Sequence, residues 1–195
     1  MPPVEVTTWS LEMRDREQAR PALPSTIELT VERAAVVQPE LNRFLYTAVG
    51  GDWYWTGRLP WTYARWEAWL GRAEVDTWVA RSAGSPAGYF ELERQEDGDV
   101  ELSYFGLMPQ FIGKGIGGHL LTVAIGEAWA SPDSRRVWVH TCSLDHPSAL
   151  RNYEARGFEV FDVRTETEEL PDRPPGPWPG ANSTPRSTSG RHLDR

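Results

Sequence analysis

Apolar positions along the chain change their period several times, and each change marks an element. In "TIELTVERA" (26–34) Ile27, Leu29 and Val31 alternate with polar residues, as in a half-buried strand. "QPELNRFLYTAVGG" (38–51) shifts to helical spacing, with Pro39 in the first turn, Leu41, Leu45 and Ala48 on one face, and Gly50 to end it. "TYARWEAWLGR" (62–72) predicts a second helix through Trp66, Trp69 and Leu70, stopped by Gly71. Three strands follow: "DTWVARSA" (76–83) and "PAGYFELERQ" (86–95), a hairpin joined at Gly-Ser-Pro, then "DVELSYFGLM" (99–108).

A glycine-rich loop comes next, then a helix to about residue 130 whose stripe is Ile116, Leu120, Leu121, Ala124, Ile125 and Ala128. "RRVWVHTC" (135–142) is apolar enough for a central strand. "HPSALRNYEARG" (146–157) predicts a helix with Pro147 in its first turn and Gly157 at its C′ position. "FEVFDVRTE" (158–166) is the last strand. This order, a strand meander followed by β-α-β units, implies a mixed α/β (α+β) fold with helices packed on one sheet. Residues 1–25 read as an N-terminal extension that includes a candidate strand, "VTTWSLEM" (6–13). Residues 26–168 read as the domain, and the Pro/Gly/Ser-rich stretch 169–195 reads as a disordered tail.

Composition narrows the partners. No apolar run reaches the roughly 18 residues a membrane helix needs, and the first residues lack the basic-then-apolar pattern of a signal peptide. The net charge of −8 argues against a generic nucleic-acid or anionic-membrane binder. Cys142 is the only cysteine, which forbids an intrachain disulfide and points to a cytoplasmic protein.

The glycine loop, "MPQFIGKGIGGHLL" (108–121), carries the candidate chemistry. A P-loop needs G-x-x-x-x-G-K-[ST], but Lys114 is followed by Gly115 and Met108 stands where the first glycine belongs. Gly113 to Gly118 match G-x-G-x-x-G by letter, yet "MPQFI" separates them from the preceding strand. Asp133, at about the spacing of a ribose-binding acid, lies before the next strand rather than at its end. A third reading is a pyrophosphate clamp, in which backbone N–H groups of the loop and first helical turn meet the anion and Lys114 adds charge.

The stretch 101–121 resembles the acetyl-CoA motif of GNAT superfamily N-acetyltransferases, [QR]-x-x-G-x-[GA] after a strand and opening a helix. The register Ile112-Gly113-Lys114-Gly115-Ile116-Gly117 fits the surrounding spacing better than one starting at Gln110, and it puts Ile112 where Gln or Arg is usual. A second segment, "LDHPSALRNYEARGF" (144–158), is similar to the family's later helix with Asn and Tyr before Gly-Phe. The resemblance spans roughly residues 26–168. It implies a mixed, mostly antiparallel central sheet flanked by helices, and acetyl-CoA as cosubstrate without a metal. Leu107, Met108, Ile112, Gly113, Lys114, Gly115, Ile116, Gly117 and Gly118 would meet the cofactor, with Asn152 at the pantetheine arm and Tyr153 at the sulfur. Many such domains pair as homodimers.

The implied reaction is acetyl transfer to a small-molecule or peptide amine by direct attack in a ternary complex. A lysine-type amine, with a pKa of about 10.4, must lose a proton. Glu101, on the strand that leads into the loop, is the candidate base, and water is the alternative. Tyr153 is the candidate acid for the leaving thiolate, and the backbone N–H of Leu107 or Met108 is the candidate oxyanion donor. A GNAT-fold protein that binds CoA without turnover, as a sensor or interaction module, is the rival reading.

Two further clusters stand out. "HTCSLDH" gathers His140, Cys142, Asp145 and His146 without a zinc-site spacing, so a metal is not expected. A Cys142 nucleophile with His140 or His146 is a weaker option than a packed cysteine, and His140 could face the acceptor. The tryptophan stretch "GGDWYWTGRLPWTYARW" (50–66) could supply acceptor contacts through Asp52, Trp53 and Trp55, or simply cover the core.

Overall fold

The computed structural model describes residues 3–23 and 25–178. Among them, β1 (Val4–Met13), β2 (Thr30–Arg33), β3 (Val75–Ser82), β4 (Ser85–Arg94), β5 (Asp99–Leu107), β6 (Arg136–Cys142) and β7 (Glu159–Glu168) form one sheet in the order β2-β3-β4-β5-β6-β1-β7. Helices α1 (Pro39–Gly50), α2 (Tyr63–Leu70), α3 (Ile116–Ala128) and α4 (Ala149–Ala155) complete the regular structure. Every strand pair is antiparallel except β5–β6. This is the mixed, mostly antiparallel sheet that the resemblance implied.

The main core lies where α3 packs on the sheet. Leu120 and Leu121 are fully buried with Phe90 and Leu92 of β4 and Val137 and Val139 of β6. Burial of each leucine side chain contributes about 2 kcal/mol. On the other face, Leu45 and Val49 of α1 meet Val79, Tyr89 and Met108. The alternation in β4 explains both faces: Phe90 and Leu92 point toward α3, while Tyr89 and Glu91 lie on the α1 side.

Local expectations shift in three places. The β3–β4 hairpin turns at Ala83 (φ 48) and Gly84 (φ 76), one step before the predicted Gly-Ser-Pro, because a two-residue turn with both φ positive matches the strand twist. β2 is shorter than predicted: Ile27 and Leu29 pack on the core, but pairing with β3 begins at Thr30. α4 starts at Ala149 after Ser148, so Pro147 precedes the helix rather than sitting in its first turn. The segment "VTTWSLEM" lies inside the sheet as β1, between β6 and β7. Of the segment from residue 169 onward, the residues to 178 hold no helix or strand, and Gly176 N–H donates to the Gly51 carbonyl at 2.9 Å. Residues 179–195 of the expected tail lie outside the described residues.

Candidate active site

β5 and β6 pair only at Asp99–Arg136, Val100–Val137 and Glu101–Trp138. Arg136 pins this closed end, its guanidinium reaching Glu12 of β1 at 2.5 Å and Asp99 of β5 at 2.6 Å. Beyond it the strands diverge, and a cavity of about 780 Å³ opens between them, lined by Leu102 to Leu107 on one side and Val139 to Cys142 on the other.

One end of the cavity is backbone. Gly113 (φ 78) and Gly115 (φ 77) both adopt the left-handed conformation, and a Cβ added to either would meet nothing within 4 Å. No side chain caps the N-terminus of α3 at Gly115, so its first N–H groups lack the usual partner. An anion would satisfy them, and the loop therefore fits the pyrophosphate of acetyl-CoA. Ile112, Gly113, Gly115, Gly117, Gly118, Leu107 and Asn152 line the cavity. Three other predicted cofactor residues do not. Ile116 is fully buried in the core beneath the loop. Lys114 lies over the Phe111 ring. Met108 is buried, and its N–H donates to the Ala87 carbonyl at 2.9 Å, which removes it as an oxyanion donor.

Tyr153 is among the residues that line the cavity, and local sequence fixes it there. α4 ends in a Schellman motif: Gly157 N–H donates to Glu154 O and Phe158 N–H to Tyr153 O, with Gly157 at φ 101. The apolar contact that accompanies this motif is the Tyr153–Phe158 ring pair, 5.8 Å apart, and Phe105 adds a second edge contact. Burial holds the Tyr153 hydroxyl protonated well above its ordinary range, and the charge of Asp145 adds to the shift. It is thus held in its neutral form at neutral pH.

The other end is aromatic. α1 closes in a turn where Trp53 N–H and Trp55 N–H both reach the Gly50 carbonyl, with Tyr54 at φ 58. Trp53, Tyr54 and Trp55 thereby enter the cavity with Tyr46 and Tyr104. Asp52, half-buried, is not among the lining residues. Of the remaining rings, Trp61, Trp66 and Trp69 surround Arg58, which also lies 4.3 Å from the Tyr104 ring centre. Arg58 forms a two-bond pair with buried Glu91 at 2.9 and 2.7 Å, and Trp69 Nε1–H donates to the same carboxylate at 3.0 Å. Burial opposes the Arg58 charge, but Glu91 outweighs it and holds the guanidinium above its ordinary pKa. One half of the tryptophan stretch thus walls the cavity, and the other half encloses an ion pair.

Sequence reasoning missed Arg58, Glu91, Tyr46 and Tyr104. A single arginine set among tryptophans, and a glutamate inside the apolar run "GYFEL", were the available signals. It considered Asp145 only as a metal ligand. The structure uses that carboxylate locally: Thr141 Oγ1 (2.7 Å), Cys142 N–H (3.0 Å) and Trp55 Nε1–H (3.4 Å) all donate to it. Burial keeps the Cys142 thiol protonated, with Asp145 reinforcing the shift, which disfavours a nucleophilic cysteine. Among the described residues no group of three or more His, Cys, Asp or Glu side chains is placed to hold a metal ion. No helix among them is long and apolar enough to cross a membrane.

Glu101, the predicted base, is the last residue of β5 to pair with β6 and does not line the cavity. His140 does, and its Nδ1 stands 3.6 Å from Glu101 Oε1.

Fold and cavity define a mixed α/β protein with a cleft between parted parallel strands. Residues 42–158 match the Acetyltransferase (GNAT) family, and the chain belongs to that family. Among solved structures, a GCN5-related N-acetyltransferase from Kribbella flavida shares the fold at TM-score 0.59 and 18% identity, over 85% of this chain and 59% of that one. A second, from Sphaerobacter thermophilus, gives TM-score 0.57 and 20% identity over 86% and 52%. The spermidine N-acetyltransferase of Vibrio cholerae, solved with CoA and spermine, gives TM-score 0.55 and 19% identity over 72% and 94%. The chain spans only 59% and 52% of the first two structures' length. Comparison of the sequence with curated proteins finds no match.

Proposed function

We propose that this chain is an N-acetyltransferase that moves the acetyl group of acetyl-CoA to a primary amine, a small molecule or a peptide, by direct attack in a ternary complex. The observation that carries the reading is the cavity itself. Its lining takes in bare loop backbone at Gly113 and Gly115, Tyr153, and an aromatic group that includes Trp53, Trp55 and Tyr104. Acetyl-CoA would supply an activated thioester carbonyl. The loop and the α3 N-terminus would hold its pyrophosphate, and Asn152 its pantetheine arm. The amine would enter from the aromatic end, where Trp53 and Trp55 line the cavity and aromatic rings of this kind attract a cation. As the C–N bond forms and the C–S bond breaks, Tyr153 gives its proton to the departing sulfur. The oxyanion donor falls to the Leu107 amide. The lone cysteine fits action in the cytoplasm.

The test is calorimetric titration with acetyl-CoA, using NADH as control, followed by thiol release over tryptamine, spermidine, lysine and a peptide with a free N-terminus. Micromolar binding of acetyl-CoA alone, weakened by Gly115→Glu, with thiol release from at least one amine, is expected. Binding without release from any of them would make the chain a CoA-binding sensor or interaction module. Binding of NADH instead would restore the dinucleotide reading of the loop.

A further inference from the structure

The acyl-transfer reading leaves open which group receives the proton from the amine. Three candidates near the cavity are disfavoured, two by geometry and one by its protonation. Glu101 does not line it, and its Oε2 is engaged by Gln95 Nε2–H at 2.8 Å. Asp145 already accepts from the Thr141 hydroxyl, the Cys142 amide and the Trp55 indole. Cys142 is kept as a thiol by burial.

His140 is placed differently. It projects from β6 just past the point where β5 and β6 part, lines the cavity, and keeps 52% of its side chain exposed. Its Nδ1 faces Glu101 Oε1 at 3.6 Å, an ion-pair distance slightly long for a hydrogen bond. A tautomer with its proton on Nδ1 leaves the Nε2 lone pair directed away from the carboxylate. Glu101 is itself braced: Trp138 Nε1–H donates to Gln95 Oε1 at 3.0 Å, and the Gln95 amide donates to Glu101. This is the arrangement of base, orienting carboxylate and support on which triad chemistry relies.

Resting on the acyl-transfer reading, we infer that His140 is the general base for the acceptor amine and that Glu101 is the positioning residue that orients it. As nitrogen attacks the thioester carbon, the proton it loses moves to His140 Nε2, and Glu101 stabilises the resulting imidazolium at Nδ1. The sulfur takes the Tyr153 proton. Afterwards the imidazolium releases one proton to solvent and the tyrosinate recovers one, so the cycle balances.

The charged groups acting on His140 are Glu101 from β5 and Asp145 from the turn after β6, while its partner on β1 is the uncharged Ser10. Glu101 raises the imidazole pKa from its ordinary value of 6.5, burial opposes this, and Asp145 adds to it.

The test joins an NMR titration of the four imidazoles with pH profiles on whichever amine of the panel releases thiol. His140 is expected to titrate above 6.5 in the parent protein, and about one pH unit lower in Glu101→Gln. The acid limb of kcat/KM is expected to follow it in both proteins. His140→Gln should lose about 100-fold in kcat together with that limb, while acetyl-CoA still binds. An unchanged His140 titration in Glu101→Gln would overturn the pairing. A His140→Gln variant that keeps both rate and limb would overturn the base. Acetyl-CoA binding with no thiol release from any amine would instead sink the acyl-transfer reading beneath it, which the NMR arm distinguishes from a failed pair.

Discussion

At one end of the cavity a Cβ added to Gly113 or Gly115 would meet nothing within 4 Å, whereas one added to Gly50, at the turn that sets the aromatic end, would stand 2.1 Å from the Trp55 ring. The first two glycines border open space. The third lets the chain's own side chain come close. The two ends therefore differ in where a substitution is felt. Around the loop, added atoms should damage ligand binding and spare the fold. In the aromatic end the elements are locked together by buried contacts, so the fold should suffer first.

The strongest test of that contrast is Arg58→Met. It leaves Glu91, which is 1% exposed, buried without its cation, and breaking such a pair costs about 3–5 kcal/mol. Urea unfolding should show the loss, and acetyl-CoA affinity of the folded fraction should hold. A large loss of affinity with unchanged stability would break the contrast. Tyr153→Phe tests the wall between the ends. The ring contacts with Phe105 and Phe158 remain, so the melting temperature should stay, while kcat falls about 100-fold.

Gly115→Ala should weaken acetyl-CoA about tenfold or more, measured by calorimetry, for only about 1–2 kcal/mol of stability. Ala83→Gly calibrates that backbone cost far from the cavity. Ala83 holds φ 48 in the β3–β4 turn, and glycine there should stabilise by up to about 1 kcal/mol. The smallest effect concerns pH. The His140 pKa is raised by folding from 6.5, so its contribution to stability is complete below that value and is lost as pH rises through the folded one. Unfolding curves on either side of this window should differ slightly, and Glu101→Gln should remove the difference.

What could be read from the sequence follows the reach of the interactions. Gly113 and Gly115 are required by their own backbone, and Tyr153, Gly157 and Phe158 meet within a single helix cap, so short stretches of sequence carry them. Arg58 finds Glu91, Trp55 finds Asp145 and His140 finds Glu101 across the fold, and no spacing along the chain announces such pairs. The same limit hid the position of β1. Its alternation predicts a strand, but nothing in residues 6–13 says that the strand belongs between β6 and β7.

That position has a consequence for how the molecule comes into being. Thr8 pairs with Cys142 and Val4 with Glu168. During synthesis β1 leaves the ribosome first and waits for partners made last. The β3–β4–β5 meander joins strands close in sequence and can assemble early, whereas the β6–β1–β7 half must close a loop spanning most of the domain. The halves meet where β5 and β6 part, and Val6, Thr8 and Glu168 line the cavity. The cleft is thus finished only when both ends of the domain have emerged, so a half-made chain displays the meander but holds no completed pocket.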